Sequence, residues 1–142
     1  IGVIEKALAV NTPDAADPID VLAKVGGLEI GGLAGVILGA AAHRCPVVID
    51  GFISSAAALL ARAICPGAAE YMIASHASHE QGHRLLLQEL GLAPMLDLDM
   101  RIGEGTGGVL GLTLVDAACR IVREMATFES AGISGGEAVT SE

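Results

Sequence analysis

The octet Arg101-Ile102-Gly103-Glu104-Gly105-Thr106-Gly107-Gly108 places one carboxylate between glycines, directly before a long apolar helical pattern. Glycine permits positive φ and lets the backbone approach a ligand closely, so Gly103 and Gly105 are candidate contacts. Thr106 stands where a helix is capped, and the free N–H groups of a helix start favour an anionic guest. A carboxylate held at such a place is a candidate general base, which makes Glu104 the first residue to consider for catalysis. The same octet also suits a glycine-rich turn with an exposed acid, and these residues alone leave both readings open.

Other residues could do chemistry of different kinds. His79-Glu80-Gln81-Gly82-His83 has the H-E-x-x-H spacing, which on a helix puts two imidazoles on one face to hold zinc, with the glutamate as base. Gly82 weakens the helix that must aim these ligands, and no longer H-E-x-x-H-x-x-G-x-x-H pattern follows to supply a third one. No metal is therefore expected, and His76, His79 and His83 are read as polar contacts near a ligand or as a solvated helix start. Ser75 and Ser78 lie between a strand pattern and a helix pattern, where hydroxyls and backbone N–H groups either hold a phosphate or cap the helix. Asp50, followed by Gly51 at the end of another strand pattern, could accept a ribose hydroxyl or orient a neighbour. Cysteine-histidine nucleophilic catalysis has no support in the pattern.

The elements that must position these residues follow from local signals. The first nine residues read as the tail of a helix, which Asn11-Thr12-Pro13-Asp14 breaks. Asp17-Pro18-Ile19-Asp20 begins another, with Asp17 as cap and Pro18 at the first helical position, and Gly26-Gly27 ends it. Leu28–Ala42 is a very hydrophobic helix with Gly27, Gly31, Gly35 and Gly39 spaced by four along one face. Its uncharged run is shorter than the roughly 20 residues of a membrane span, so a buried helix packed on a sheet or a partner is expected. Pro46–Gly51 and Tyr71–Ala74 read as short buried strands, with an Ala-rich helix to Ile64 between them. A helix over 79–90 stops at Gly91, and Met95–Leu98 reads as a third strand or an extended link. A mostly buried helix runs from Thr106 to about Phe128, with a polar stripe that pairs Asp116 with Arg120 and Arg120 with Glu124. Residues 130–142 are small and polar and read as a flexible tail.

This alternation predicts an α/β fold: a parallel sheet flanked by helices, Rossmann-like but incomplete, with part of a smaller helical domain, over residues 1–129. In such sheets ligands sit beyond the carboxyl ends of the strands, where the turns at 50–51, 75–78 and 103–105 would converge. The 142 residues are one domain's worth of chain, and the net charge of −9 argues against nucleic acid and against an anionic membrane surface. Hydrophobic residues make up 52% but aromatics only 2%, which with 19 glycines points to packing by small side chains. Cys45, Cys65 and Cys119 lack C-x-x-C spacing and read as reduced core thiols of a cytoplasmic protein. The chain opens on Ile, not Met, and reads as a piece of something longer.

Several motifs, taken in order, resemble one family. Val25-Gly26-Gly27-Leu28-Glu29-Ile30, Leu33-Ala34-Gly35, Leu38-Gly39-Ala40-Ala41, Asp50-Gly51-Phe52, Ser75-His76-Ala77-Ser78, Glu80-Gln81-Gly82-His83 and Arg101 to Gly107 look like the nicotinate-nucleotide-dimethylbenzimidazole phosphoribosyltransferases. The resemblance runs from Ile1 to about Ile133 and matches the C-terminal part of the family's longer protein. It implies a parallel α/β domain with a smaller helical one, a cytoplasmic homodimer, and a reaction without cofactor. In that reaction dimethylbenzimidazole attacks C1′ of nicotinate mononucleotide, giving α-ribazole 5′-phosphate and nicotinate for the lower ligand of cobalamin. Glu104 then matches the family's catalytic carboxylate, and Ser78 a serine near the substrate phosphate. Asp50 and Gly51 match positions beside the nucleotide, and Ile102 one beside the base. The family's upstream half, with a second glycine-rich segment and much of the base pocket, is absent from this sequence, so the piece alone is expected to lack part of the machinery. In the family the slot of His79 tolerates other residues, and that of Gly108 often holds alanine. Two other readings remain from the residues themselves: a zinc hydrolase built on His79, Glu80 and His83, and a helix-packing interaction module whose glycine ladder is a dimer face.

Overall fold

Asp17 starts its helix by the expected chemistry. Its carboxylate accepts the N–H groups of Ile19 and Asp20 at 2.9 and 3.2 Å, and helix α2 runs Pro18–Val25 behind it. Asp20 and Lys24 pair across one turn at 2.8 Å. Ahead of them α1 (Gly2–Asn11) ends at Thr12, which takes the left-handed conformation with φ 41°. Helix α3 spans Leu28–Ala42 as predicted. The computed structural model describes residues 1–133, and all that follows concerns these.

α3 departs from expectation in its burial. Ala34 and Ile37 are its buried residues, whereas Leu28 and Val36 are 92% and 62% exposed. A Cβ on Gly35 or Gly39 would meet nothing within 4 Å, and one on Gly31 would touch the Leu22 side chain at 3.3 Å. Two rungs of the glycine ladder thus serve no close packing within this chain. Replacing Gly35 with Ala should raise the stability of the chain by about 0.5–1 kcal/mol, because glycine loses more freedom in a helix than alanine does. A thermal melt that falls instead would show that another surface packs there.

Four short strands form what is in effect three parallel runs. β1 (Val47–Ile49) pairs with β2 (Met72–Ala74), with Val47 opposite Met72 and Ile49 opposite Ala74. β3 (His76–Ser78) pairs with β4 (Leu96–Met100). Ser75 joins the two pairs, since its N–H donates to the Ile49 carbonyl at 2.9 Å and its own carbonyl accepts from Leu96 at 3.0 Å. The run 72–78 is therefore the central strand. Its second half was expected as a turn, because Ser-His-Ala-Ser carries no β-branched signal, and pairing with β4 overrides that local preference. The predicted third strand is real but lies slightly later, at Leu96–Met100.

Small side chains make the core, as the composition implied. Ala57, Ala58 and Ala61 of α4 (Phe52–Ile64) are wholly buried against Ile37 of α3, Ile49 of β1 and Met72 of β2. Leu90 closes this cluster from α5 (Gln81–Leu90), which stops at Gly91 with φ 70°. Arg62 of α4 donates to the Glu89 carbonyl in the last turn of that helix. The three cysteines are exposed free thiols, not core thiols, since Cys45 and Cys65 sit in the links beyond α3 and α4.

The last helix, α6, spans Thr106–Glu124, shorter than predicted. Gly107 and Gly111 are its buried residues among those described, so the expected burial of most of its apolar positions does not occur. Contacts divide the chain between Leu112 and Thr113. In the second unit Arg120 pairs with Asp116 at 3.0 Å, the i,i+4 pair foreseen, and Thr127 and Ser130 exchange hydrogen bonds in a turn. The expected tail lies, from residue 134 on, outside the described residues.

Candidate functional site

At the carboxyl end of β1, Asp50 reaches across to a segment more than fifty residues later. Its Oδ1 accepts the Gly108 N–H at 2.7 Å and its Oδ2 the Gly105 N–H at 3.2 Å. These are orphan donors of the α6 N-terminus, so Asp50 is that helix's cap and the anion its dipole favours. Thr106, the expected cap, is already inside the helix, and its hydroxyl donates to the Gly103 carbonyl at 2.9 Å. A carboxylate accepts more strongly than a hydroxyl, which explains why the distant residue takes the position. Each Asp50 oxygen keeps a further lone pair for a ligand hydroxyl.

Clamped between these bonds, Glu104 adopts φ 61° and Gly105 φ 84°. Left-handed backbone costs a side-chain-bearing residue of the order of 1–2 kcal/mol, and strain of this sort persists where its surroundings impose it. Asp50 holds Gly105 on one side of Glu104 and Thr106 holds Gly103 on the other. The result projects a carboxylate from the bend after β4. Glu104 is exposed, yet it is not remote from the other turns: it lines a cleft of about 490 Å³ together with Asp50, Gly51, Ser78, Ile102 and Gly103. Phe52 and Ile53, at the start of α4, give that cleft an apolar side, and His76, His79 and Arg101 a polar one.

Ser75 lies behind the cleft wall. It is fully buried, and its hydroxyl donates to the Asp50 carbonyl at 3.0 Å while meeting His76 Nδ1 at 3.0 Å. Its proton being given to the carbonyl, Ser75 accepts from His76, which places the neutral imidazole's proton on Nδ1. α6 comes so close over this pair that a Cβ on Gly107 would stand 1.9 Å from His76 Nδ1. Gly111, one turn on, would meet the Ser75 Cβ at 2.9 Å. These two glycines let the helix press its start, and hence the Glu104 bend, against the strand edge.

Ser78 faces the cleft at the end of β3. Its N–H donates to His83 Nδ1 at 2.9 Å, which puts the proton of that ring on Nε2, and Nε2 meets Ser55 Oγ of α4 at 2.9 Å. His83 and Ser55 are wholly buried. With both nitrogens engaged, His83 has no lone pair for a metal. His79 and Glu80 precede α5 and do not share a helical face with it, because the helix begins only at Gln81. His79 instead pairs with Asp99 at 2.7 Å. The zinc arrangement does not form: among the described residues no three His, Cys, Asp or Glu side chains gather to hold an ion.

Burial, with His76 nearby, lowers the pKa of His83 below the usual histidine value, against an opposing pull from Asp50. The unfolded chain takes up a proton near pH 6.5 while the folded one still resists. This contribution to stability is therefore complete above about pH 6.5 and is lost as the pH falls from there toward the depressed folded value. Denaturant midpoints measured across that range should decline with acidity, and should decline less in a His83→Asn variant.

Asp99, itself left-handed at φ 49°, takes two residues of the cleft lining, His79 on one oxygen and Arg101 on the other at 3.5 Å. The His79 hydrogen bond first, and Arg101 next, hold its carboxyl below the ordinary range. Sequence reasoning brought forward Asp50, Gly51, Ser78, Ile102, Gly103 and Glu104, and the structure gathers these around one cleft. It missed Phe52, Ile53 and Arg101 as lining residues, and it missed who caps α6. One signal existed: the α6 start offers glycines on both sides of Glu104 and no side-chain acceptor at the capping position.

A parallel α/β sheet whose carboxyl-edge turns collect a strained acid, a hydroxyl and an apolar side has the arrangement in which such sheets take small-molecule ligands. Comparison with known proteins narrows this. A family profile described as phosphoribosyltransferase matches residues 1–133, and the chain belongs to that family. A protein of Chloroflexus aggregans named nicotinate-nucleotide-dimethylbenzimidazole phosphoribosyltransferase is 63% identical over 134 residues, 94% of this chain and 38% of that protein. One of the same name from Desulforudis audaxviator is 65% identical over 132 residues, 93% of this chain and 37% of its own length. The crystal structure of the so-named protein of Thermus thermophilus matches with a TM-score of 0.86 and 47% identity, over 94% of this chain and 40% of that one. The chain thus spans about two fifths of the length of these relatives. The resemblance carried by the motifs is the family found, and the fold is α/β and incomplete as predicted. Among the described residues no helix is long and apolar enough to cross a membrane.

Proposed function

We propose that this chain supplies the acid-bearing part of an enzyme that transfers phosphoribosyl from nicotinate mononucleotide to 5,6-dimethylbenzimidazole. The products are α-ribazole 5′-phosphate and nicotinate, and the nucleoside phosphate goes to the lower ligand of cobalamin. The observation that carries this reading is the position of Glu104: a carboxylate forced out of a left-handed bend into a cleft that also holds Asp50, Gly51 and Ser78.

One azole nitrogen forms the new bond to C1′ as the bond from C1′ to the pyridine nitrogen breaks, and that electron pair leaves with nicotinate. The azole's second nitrogen must lose its proton, and Glu104 takes it, which raises the nucleophile's electron density while the bond forms. Ser78 meets the substrate phosphate, Asp50 and Gly51 border the sugar, and Ile102 with Gly103 borders the base. Ser75 and Gly105 act on these from behind, through the Asp50 carbonyl and carboxylate. This acid–base step calls on no metal and no cofactor.

The remainder of a longer protein completes the phosphate and base contacts, and the working enzyme is a cytoplasmic homodimer. The test is direct: the full-length protein containing this chain, given nicotinate mononucleotide and dimethylbenzimidazole, should yield α-ribazole 5′-phosphate and nicotinate in equal amounts by liquid chromatography and mass spectrometry. A folded, full-length protein that binds both substrates and forms neither product would overturn the proposal.

A further inference from the structure

We propose that His83 is a positioning residue, an imidazole that ties α4 to the strand end carrying Ser78 and so sets where the Ser78 hydroxyl meets the donor phosphate. The inference rests on the proposed reaction in one respect, the role of Ser78 toward phosphate.

Four observations support it. The register of β3 against β4 shifts between His76 and Ser78, so the ladder is irregular where Ser78 emerges into the cleft. The Ser78 N–H goes to His83 Nδ1 at 2.9 Å, a side chain in the first turn of α5 reaching back to the strand it follows. The opposite edge of the same ring meets Ser55, 28 residues earlier in the sequence, so the corner 78–83 is pinned to α4 by a buried bridge with both ends satisfied. Gly82 lies against Phe52 so tightly that a Cβ would stand 2.9 Å from its ring, which brings the same corner against the apolar side of the cleft. The titratable and charged groups that face His83 are His76 on β3, Asp50 after β1 and Arg84 on its own helix. The neutral ring serves here because a protonated Nδ1 could not accept the Ser78 N–H.

His83→Leu and His83→Asn in the full-length protein separate positioning from bulk packing. Leucine keeps apolar volume and offers no acceptor, whereas the asparagine oxygen stands where Nδ1 does. His83→Leu should raise KM for nicotinate mononucleotide about tenfold with little change in kcat, the signature of lost uniform binding. His83→Asn, which keeps the bond to Ser78 and loses the one to Ser55, should restore KM in part. Equal loss in both folded variants, or no change in KM in either, would overturn the assignment. A second measurement stands apart from turnover and from variant folding. In the wild type, nitrogen shifts should show the Nε2–H tautomer of His83, and the Ser78 amide resonance should move on adding nicotinate mononucleotide. A ring protonated at Nδ1 at neutral pH, or an unmoved Ser78 amide at saturating nucleotide, would refute it. A wild type that passes these checks yet forms no product would refute the proposed reaction and leave the positioning role standing.

Discussion

Glu104→Gln in the full-length protein should lower kcat by about 10²–10⁴-fold, the range that one general base commonly supplies. The change is nearly isosteric, and no hydrogen bond of the bend runs through the Glu104 side chain among those that hold it: Asp50 grips the N–H groups of Gly105 and Gly108, and Thr106 grips the Gly103 carbonyl. The backbone should therefore keep its left-handed turn, and KM for both substrates should stay near the wild-type value. An amide oxygen can accept a hydrogen bond from the azole but cannot take its proton, so the loss should appear in kcat and kcat/KM alike. Steady-state kinetics with both substrates varied decides it. Near-normal turnover would mean that Glu104 is a strained but idle acid, and the proposed mechanism would fail with it.

The second large effect concerns stability, and it falls on a residue with no side chain. Gly107→Ala should destabilise the chain by about 3 kcal/mol, the upper part of the range for overpacking a well-filled interior. The new methyl would need the space of His76 Nδ1 at 1.9 Å and Cε1 at 2.3 Å, and that ring is 3% exposed and bound to Ser75. The helix must then lift from the strand edge, which strains the two bonds from Asp50 and loosens the Glu104 bend. Gly108→Ala makes the control, because its Cβ would lie 3.7 Å from Asp50, an ordinary contact. It should be neutral or slightly stabilising, since alanine is the better helix former. Urea denaturation midpoints of the two variants should thus move apart. Equal midpoints would show that α6 does not press on His76 as described.

The zinc reading failed for a geometric reason. H-E-x-x-H is a statement about spacing, and spacing becomes geometry only where a helix is continuous. Here α5 begins after Glu80, so His79 turns to Asp99, and His83 spends both nitrogens on Ser78 and Ser55. The glycine ladder of α3 suggested a dimer face, and Gly35 and Gly39 do face open space within this chain; the match to phosphoribosyltransferases, not the packing, is what leaves the interaction-module reading without support.

What the order of residues determined by itself was whatever neighbours in sequence decide. The Asp17-Pro18 helix start, the breaks at Thr12 and Gly91, the short apolar strands and the carboxyl-edge turns at 50–51, 78 and 103–105 all rest on local conformational preference and hydrophobic spacing. Only the tertiary structure decided which of those turns serves and which supports. Asp50 looked like a ligand contact and proved also to be the cap of a helix 55 residues away; Thr106 looked like that cap and binds Gly103 instead. Ser75 looked like Ser78 and lies buried behind it. Hydrogen-bond partners and close approaches between distant segments are settled by which faces the sheet brings together, and a capping acid or a bridging imidazole leaves no mark in the residues beside it.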